Sequence, residues 1–301
     1  MSELTRVGSG IELETWYQGP DEGLPVLFIH GGYGGPVTTL LGRPPWFEDV
    51  FRAGDPVRLV RYSRRNAGAS TYVFEDFALA DLAADAVGLL DALAIDRAVI
   101  VGSSAGGPVA LELTLTWPER VIALCLPNTG AAIMSDRPEG FGDTVPPMVM
   151  ARVDEVVGRL AIVDDVMTRG PEAVFADCVD EIRAGLFEAA LTRAEVLCCD
   201  PASLVELAAG ASEAELRRQW HGAVLNWAAT AGHDFHDRLG EIAVETLIIH
   251  GDADEIVPFE FGTHLHAEIA ASTFHRIPEA THEVTRDPRA AAILRQWVLS
   301  L

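Results

Sequence analysis

The sequence predicts an α/β fold: a mostly parallel central sheet flanked by helices, with a helical cap inserted into it. Three observations predict this. Short apolar runs alternate with helix-length amphipathic stretches through the first third of the chain. That rhythm stops after Pro127 and gives way to helix-like text. It returns at Val244 and continues to the last residues. Strands alternating with helices form right-handed βαβ units, which build a parallel sheet. The 301 residues are enough to bury a sizeable core without a disulfide or metal staple. The expected division is a core domain of residues 1–130 and 237–301 and a helical cap, or lid, of residues 131–236. A long insertion in a compact domain usually serves function.

Each element has its own signal. Ile11–Gln18 alternates apolar and polar residues as a half-buried strand does. Pro25–Ile29 (PVLFI) is short and apolar and runs into a Gly-rich turn. Val57–Tyr62 alternates apolar residues with Arg and reads as a strand. Leu79, Leu82, Ala83, Ala86, Leu90 and Leu93 follow helical spacing, with Asp81, Asp85 and Asp91 expected off that face. Ala98–Gly102 (AVIVG) is wholly apolar, as strands covered on both faces are. Ala105–Trp117 reads as a helix stopped by Pro118, and Val121–Leu126 as the next strand. Helical candidates in the insertion are Val153–Val166, Ala173–Phe187, Ala202–Leu207 and Ser212–Ala229. The core resumes with strand Val244–His250, helix Phe261–Ala270, strand Thr273–Ile277 and helix Arg289–Leu299.

Composition narrows the function. The formal charge is −23, and every one of the 22 basic residues is Arg. Nucleic acids and anionic lipids are held mainly by Lys and Arg contacts to phosphate, so neither a nucleic acid nor a membrane is an expected partner. The mean hydropathy of +0.19 does not fit a salt-adapted surface. Self-repulsion that keeps the chain in solution is the simpler reading of the charge. Cys125, Cys178, Cys198 and Cys199 make no metal-ligand or disulfide spacing, so neither a metal nor a disulfide framework is expected. No cofactor is expected either. The opening MSELTRVGSG lacks a basic and an apolar region, and no run reaches the ~20 apolar residues of a membrane span. The cytoplasm is the expected compartment. The sequence carries no signal for an oligomeric state.

The chemistry concentrates in a few loops. Gly102-Ser103-Ser104-Ala105-Gly106 matches G-x-S-x-G between a buried strand and a helix. That context makes a sharp turn which lifts the Ser104 hydroxyl above the sheet. Only small flanking residues fit, because the strand and helix backbones crowd each other there. His30-Gly31-Gly32-Tyr33-Gly34-Gly35 follows strand PVLFI. An oxyanion needs backbone N–H groups with no side chain in the way, which points to Gly32 and to Ala105. A phosphate-binding reading fails, since no Lys follows and G-x-G-x-x-G is not met. His30 is expected to hydrogen-bond its own loop. A serine nucleophile needs a base, and the base an orienting acid. Candidate acids Asp252 and Asp254 follow strand Val244–His250, and His282 follows strand Thr273–Ile277. The chain order is serine, aspartate, histidine, and all three leave strand ends on one side of the sheet.

With these motifs the chain resembles the α/β-hydrolase superfamily over nearly its full length. The resemblance rests on HGG, Ser63–Ser70 (SRRNAGAS), the Ser104 turn, GDADEIVP and the His282 loop. It implies a Ser104–His282–Asp254 triad, Asp254 being the position written G-x-x-D in that family. It also implies a cap between Pro127 and Leu239. RYSRRNAGAST is similar to the matching stretch of aclacinomycin methylesterase-like enzymes, and HGGYGGP to proline iminopeptidases. Three positions depart from the family pattern. Ser63 and Asn66 replace an Asp and a Gly after the fourth strand, and Thr281 replaces the Gly before the His.

The expected function is hydrolysis of a carboxylic ester, or a lactone or thioester, of a small to medium hydrophobic substrate. Tyr33, Trp220 and Trp227 are expected to contact that small molecule, and the cap to select it. The alternatives on the same triad are an aminopeptidase, a C–C bond hydrolase and a perhydrolase. A ligand-binding receptor without turnover is the alternative from another class. His233 and His236 have metal-like spacing but no third ligand to match, and His264 and His266 cannot face one ligand two residues apart on a helix.

Overall fold

The computed structural model describes residues 2–32, 50–75, 77–132, 232–254 and 256–301, with single positions 169, 177, 218, 222, 225, 226, 229 and 230. Among them the strands are β1 (Glu3–Arg6), β2 (Glu12–Gln18), β3 (Leu24–Ile29), β4 (Val57–Tyr62), β5 (Ala98–Gly102), β6 (Val121–Pro127), β7 (Thr246–Gly251) and β8 (Ser272–Ile277). They form one sheet in the order β1-β2-β4-β3-β5-β6-β7-β8. β1 and β2 run antiparallel to their neighbours, and β3 to β8 are mutually parallel. The longer described helices are α1 (Leu79–Ala92), α2 (Gly106–Thr116), α3 (Phe259–Glu268) and α4 (Pro288–Val298).

The period of two along a strand sends alternate side chains to opposite faces. Leu27, Ile29, Ile100, Leu124, Leu126 and Ile248 pack in one core with α1 and α2. Val26, Phe28, Val99, Val101, Cys125 and Ile249 pack in the other, with α4. The central strands are therefore apolar on every residue, because helices cover both faces. On α1, Leu82, Leu89 and Leu90 are buried, and each such side chain contributes about 1.5–3 kcal/mol by leaving water. Asp81 accepts the Ala78 N–H at 2.8 Å and secures the helix start.

The structure corrects some of the sequence reading. Asp85 does not point away from the core: it is buried and takes a two-point ion pair from Arg65, at 2.6 Å and 2.7 Å. The guanidinium supplies the counter-charge that makes this burial tolerable. β1 has no counterpart in the sequence reading. Its ELTR text is polar and mostly exposed, as an edge strand can be when only one side is paired. α3 begins at Phe259, two residues before the expected start, because Pro258 already turns the chain.

The start and end of the expected cap meet, the Phe235 N–H donating to the Ala131 carbonyl at 3.1 Å. The four expected cap helices fall almost wholly outside the described residues. Among the described residues no helix is long and apolar enough to cross a membrane.

Candidate active site

Parallel strands end on one edge of a sheet, so the loops after them converge there. Here β3 leads into His30–Gly32, β4 into Ser63–Arg65, β5 into Ser103–Ala105, β6 into Asn128, β7 into Asp252–Asp254 and β8 into Thr281–His282.

Ser104 sits in the turn between β5 and α2 with φ +49°, a left-handed conformation that costs a non-glycine residue energy. The surrounding bonds hold it there. Its N–H donates to the Pro127 carbonyl at 3.2 Å. Its carbonyl accepts from Gly107 N–H at 2.8 Å and from the Thr129 hydroxyl at 2.8 Å. Gly106 is required by close approach, since a Cβ there would lie 2.2 Å from the Ile29 carbonyl oxygen.

His282 Nε2 lies 3.0 Å from Ser104 Oγ. Its Nδ1 lies 3.0 Å and 2.9 Å from the two Asp254 carboxylate oxygens. A carboxylate can only accept, so Nδ1 carries the hydrogen and Nε2 presents a lone pair to the serine hydroxyl. Asp254 Oδ1 also accepts the N–H groups of Ile256 and Val257, each at 2.9 Å. His250 Nε2 lies 3.4 Å from Oδ2. Burial by itself raises the Asp254 carboxyl. The hydrogen bonds from His250 and His282 outweigh it and hold the acid well below the usual carboxylate range. The structure thus brings Ser104, His282 and Asp254 together and leaves Asp252 outside. Asp252 instead accepts from Arg276 at 2.7 Å and from the Glu279 N–H at 2.6 Å.

Gly32 has φ +69°, which a side chain would disfavour. Its neighbour Gly31 faces the serine closely: a Cβ there would be 2.9 Å from Ser104 Cβ. No hydrogen bond among the described residues uses the N–H of Gly32 or of Ala105. His30 is buried and serves its loop as expected, with Nδ1 2.6 Å from the Gly31 carbonyl oxygen. Its Nε2 accepts the Arg64 N–H at 3.4 Å. Burial and the Arg64 charge push its pKa down to about 3.

The departures from the family pattern have local explanations. Thr281 adopts φ −85°, so no glycine is needed there, and its hydroxyl accepts the Glu283 N–H. Asn66 takes φ +60° and pairs both ways with the Val73 backbone, at 2.9 Å and 2.6 Å. His233 and His236 turn to different partners, the Thr230 carbonyl and the Asp234 carboxylate. Tyr33, Trp220 and Trp227 lie outside the described residues. Between the two tryptophans in sequence, Asn226 donates to the Arg65 carbonyl at 2.9 Å, beside the active edge.

Sequence reasoning missed three residues at this edge. Asn128 accepts from the Ser103 hydroxyl at 2.9 Å and donates to the His282 carbonyl at 2.9 Å. His250 touches Asp254. Arg64 is buried against both Gly32 and Ala105. The one available signal was position: each sits at or just beyond the C-terminal end of a parallel strand, as Ser104 and Asp254 do.

Comparison with known proteins identifies the family and the fold. A model of the alpha/beta hydrolase family matches residues 26–293. A bifunctional esterase/perhydrolase DCH of Acinetobacter calcoaceticus is 26% identical, over 88% of this chain and 86% of its own. A 2-hydroxy-6-oxo-6-phenylhexa-2,4-dienoate hydrolase of Comamonas testosteroni is 28% identical, over 88% of this chain and 84% of its own. An esterase structure from Exiguobacterium antarcticum superposes with a TM-score of 0.69 at 21% identity and covers 99% of both chains, a likeness of fold.

Proposed function

We propose that this chain, which belongs to the alpha/beta hydrolase family, is a serine hydrolase that cleaves carboxylic esters of small to medium hydrophobic molecules. The observation that carries the reading is the unbroken relay from Ser104 Oγ to His282 Nε2 at 3.0 Å and from His282 Nδ1 to Asp254 at 2.9 Å. Ser104 Oγ attacks the ester carbonyl while His282 Nε2 takes its proton. The Gly32 and Ala105 N–H groups receive the charge that develops on the carbonyl oxygen. The tetrahedral intermediate collapses, His282 returns the proton to the leaving alcohol, and an acyl-Ser104 ester remains. Water, deprotonated by His282, then attacks the acyl carbon, the bond to Ser104 Oγ breaks, and His282 returns the proton to Oγ as the acid leaves. Asp254 keeps the imidazole in the tautomer and orientation that both steps need, and no cofactor enters either step.

In this reading the insertion of residues 131–236 acts as the cap, and Tyr33, Trp220 and Trp227 contact the substrate. The bond between Phe235 and Ala131 supports a single point of exit and return for that insertion. A second reading has the acyl-enzyme attacked by hydrogen peroxide, giving a peracid. The relative named as a bifunctional esterase/perhydrolase favours it.

The test uses p-nitrophenyl esters and a fluorophosphonate probe on the wild type and Ser104→Ala. The wild type should hydrolyse the esters and gain one adduct by intact-mass spectrometry, and Ser104→Ala should do neither. Labelling or turnover that persists in folded Ser104→Ala would overturn the assignment.

A further inference from the structure

We infer that Arg64 is a positioning residue that clamps the two halves of the oxyanion hole together, an inference that rests on the serine-hydrolase reading above. The Arg64 side chain is 1% exposed, in the loop after β4. Its Nη1 donates to the Ala105 carbonyl at 3.3 Å, and its Nη2 donates to the Gly32 carbonyl. Its own backbone N–H reaches His30 Nε2 at 3.4 Å. One guanidinium thus ties the residue after the nucleophile to the glycine after β3, and those two supply the expected oxyanion donors.

The arrangement has a physical reason. Gly32 sits in a loop of glycines at φ +69°, where no side chain fixes the backbone. Ala105 sits at the start of α2, on a different segment. Two donors on separate segments stabilise an oxyanion only if their separation is set before the charge appears. A planar guanidinium has N–H groups on a rigid fork and can hold two acceptors at a fixed spacing. Lysine is a point charge on a flexible stem and cannot do the same. Bonding to carbonyl oxygens leaves the N–H groups of Gly32 and Ala105 for the substrate. The positive charge also lies beside the site where negative charge develops, which adds in the same direction.

The experiment compares the wild type, Arg64→Met and Arg64→Lys on a p-nitrophenyl ester. Fluorophosphonate labelling and melting curves are recorded for each protein. For Arg64→Met we expect kcat to fall on the order of 10- to 100-fold, short of the loss from deleting a donor itself, with KM changed less than about threefold. Binding of a boronic acid, which mimics the tetrahedral state, should weaken by a factor close to the kcat loss. Arg64→Lys should recover less than half of the logarithmic loss. If Arg64→Met does not fold, Arg64→Lys carries the test alone, with a kcat loss of about fivefold or more expected. Unchanged kcat in Arg64→Met would overturn the clamp, as would a loss confined to KM. Full recovery in Arg64→Lys would also overturn it, because charge alone would then suffice. If the wild type is neither active on esters nor labelled at Ser104, the serine-hydrolase reading fails first, and that result is distinct from a normal wild type with an active Arg64→Met.

Discussion

At the scale of single residues, two aspartates two positions apart do different work. Asp254 reaches both the imidazole and two backbone N–H groups. Asp252 is bound to Arg276 and to the Glu279 N–H at the loop's outer side. Replacing the orienting acid by its amide favours the wrong imidazole tautomer, a change that costs a trypsin-like enzyme about 10⁴ in kcat. Asp254→Asn should therefore lose on the order of 10³- to 10⁴-fold in kcat while keeping its circular dichroism spectrum. Asp252→Asn weakens bonds that do not touch the imidazole, so its kcat should stay within about fivefold of the wild type. Reversed kcat losses in the two variants would transfer the orienting role to Asp252. Sequence spacing alone admitted either residue, and the family resemblance favoured Asp254. The distinguishing fact, which carboxylate faces His282, is set by a loop conformation that has no local code.

At the scale of elements, the strand–turn–helix around Ser104 is built by what it leaves out. A Cβ on Gly106 would stand 2.2 Å from the Ile29 carbonyl oxygen and 2.7 Å from that of His30. Both obstacles are backbone, and β3 cannot move aside without breaking its pairing with β4 and β5. Gly106→Ala should cost on the order of 1–3 kcal/mol, the usual range for overpacking. A Cβ on Gly240 meets nothing within 4 Å, so Gly240→Ala should change stability by less than about 1 kcal/mol. Urea unfolding of both variants against the wild type reads the difference, and equal midpoints would show that the turn relaxes. G-x-S-x-G displayed this element plainly in the sequence, because the glycines are needed for local geometry. The edge strand β1 escaped notice for the converse reason: half of its backbone partners and most of its neighbours are solvent, so its residues carry no apolar alternation.

For the whole molecule, the buried imidazoles set the response to acid. The folded chain holds His30 down at about 3, below the ordinary value of about 6.5 that the unfolded chain recovers. The unfolded state therefore binds the proton first. This contribution to stability is complete above pH ~6.5 and is lost progressively as the pH falls toward the folded value. His233 and His264 are also lowered by burial and act with the same sign. Unfolding free energy should then fall as the pH drops from 6 to 4.5, and His30→Asn should flatten that slope by up to about 1.4 kcal/mol per pH unit. The depressed Asp254 carboxyl acts below this window, and the Asp85 carboxyl, raised by burial, acts with the opposite sign, so the difference between the wild type and His30→Asn isolates the imidazole. Urea titrations at four pH values check it, and an unaltered slope in His30→Asn would place the acid sensitivity elsewhere.

The sequence by itself determined the α/β class, the parallel core strands and the Ser104 turn. Each is dictated by short-range chemistry: apolar runs that need cover on both faces, glycines that admit a tight turn, and strand–helix alternation that fixes the sense of crossover. Only the tertiary structure decided which side chains meet across the sheet edge. His282 lies 178 positions from Ser104 in the chain yet 3.0 Å from it in space. Asn128 binds His282 across 154 positions, and Arg64 binds Ala105 across 41. Contacts at such separations depend on strand order and loop paths, which no local run of residues specifies. Asp85 shows the same limit from the opposite direction. Its spacing marks it as a solvent-facing carboxylate, and it is buried because Arg65, twenty residues earlier, arrives to pair with it.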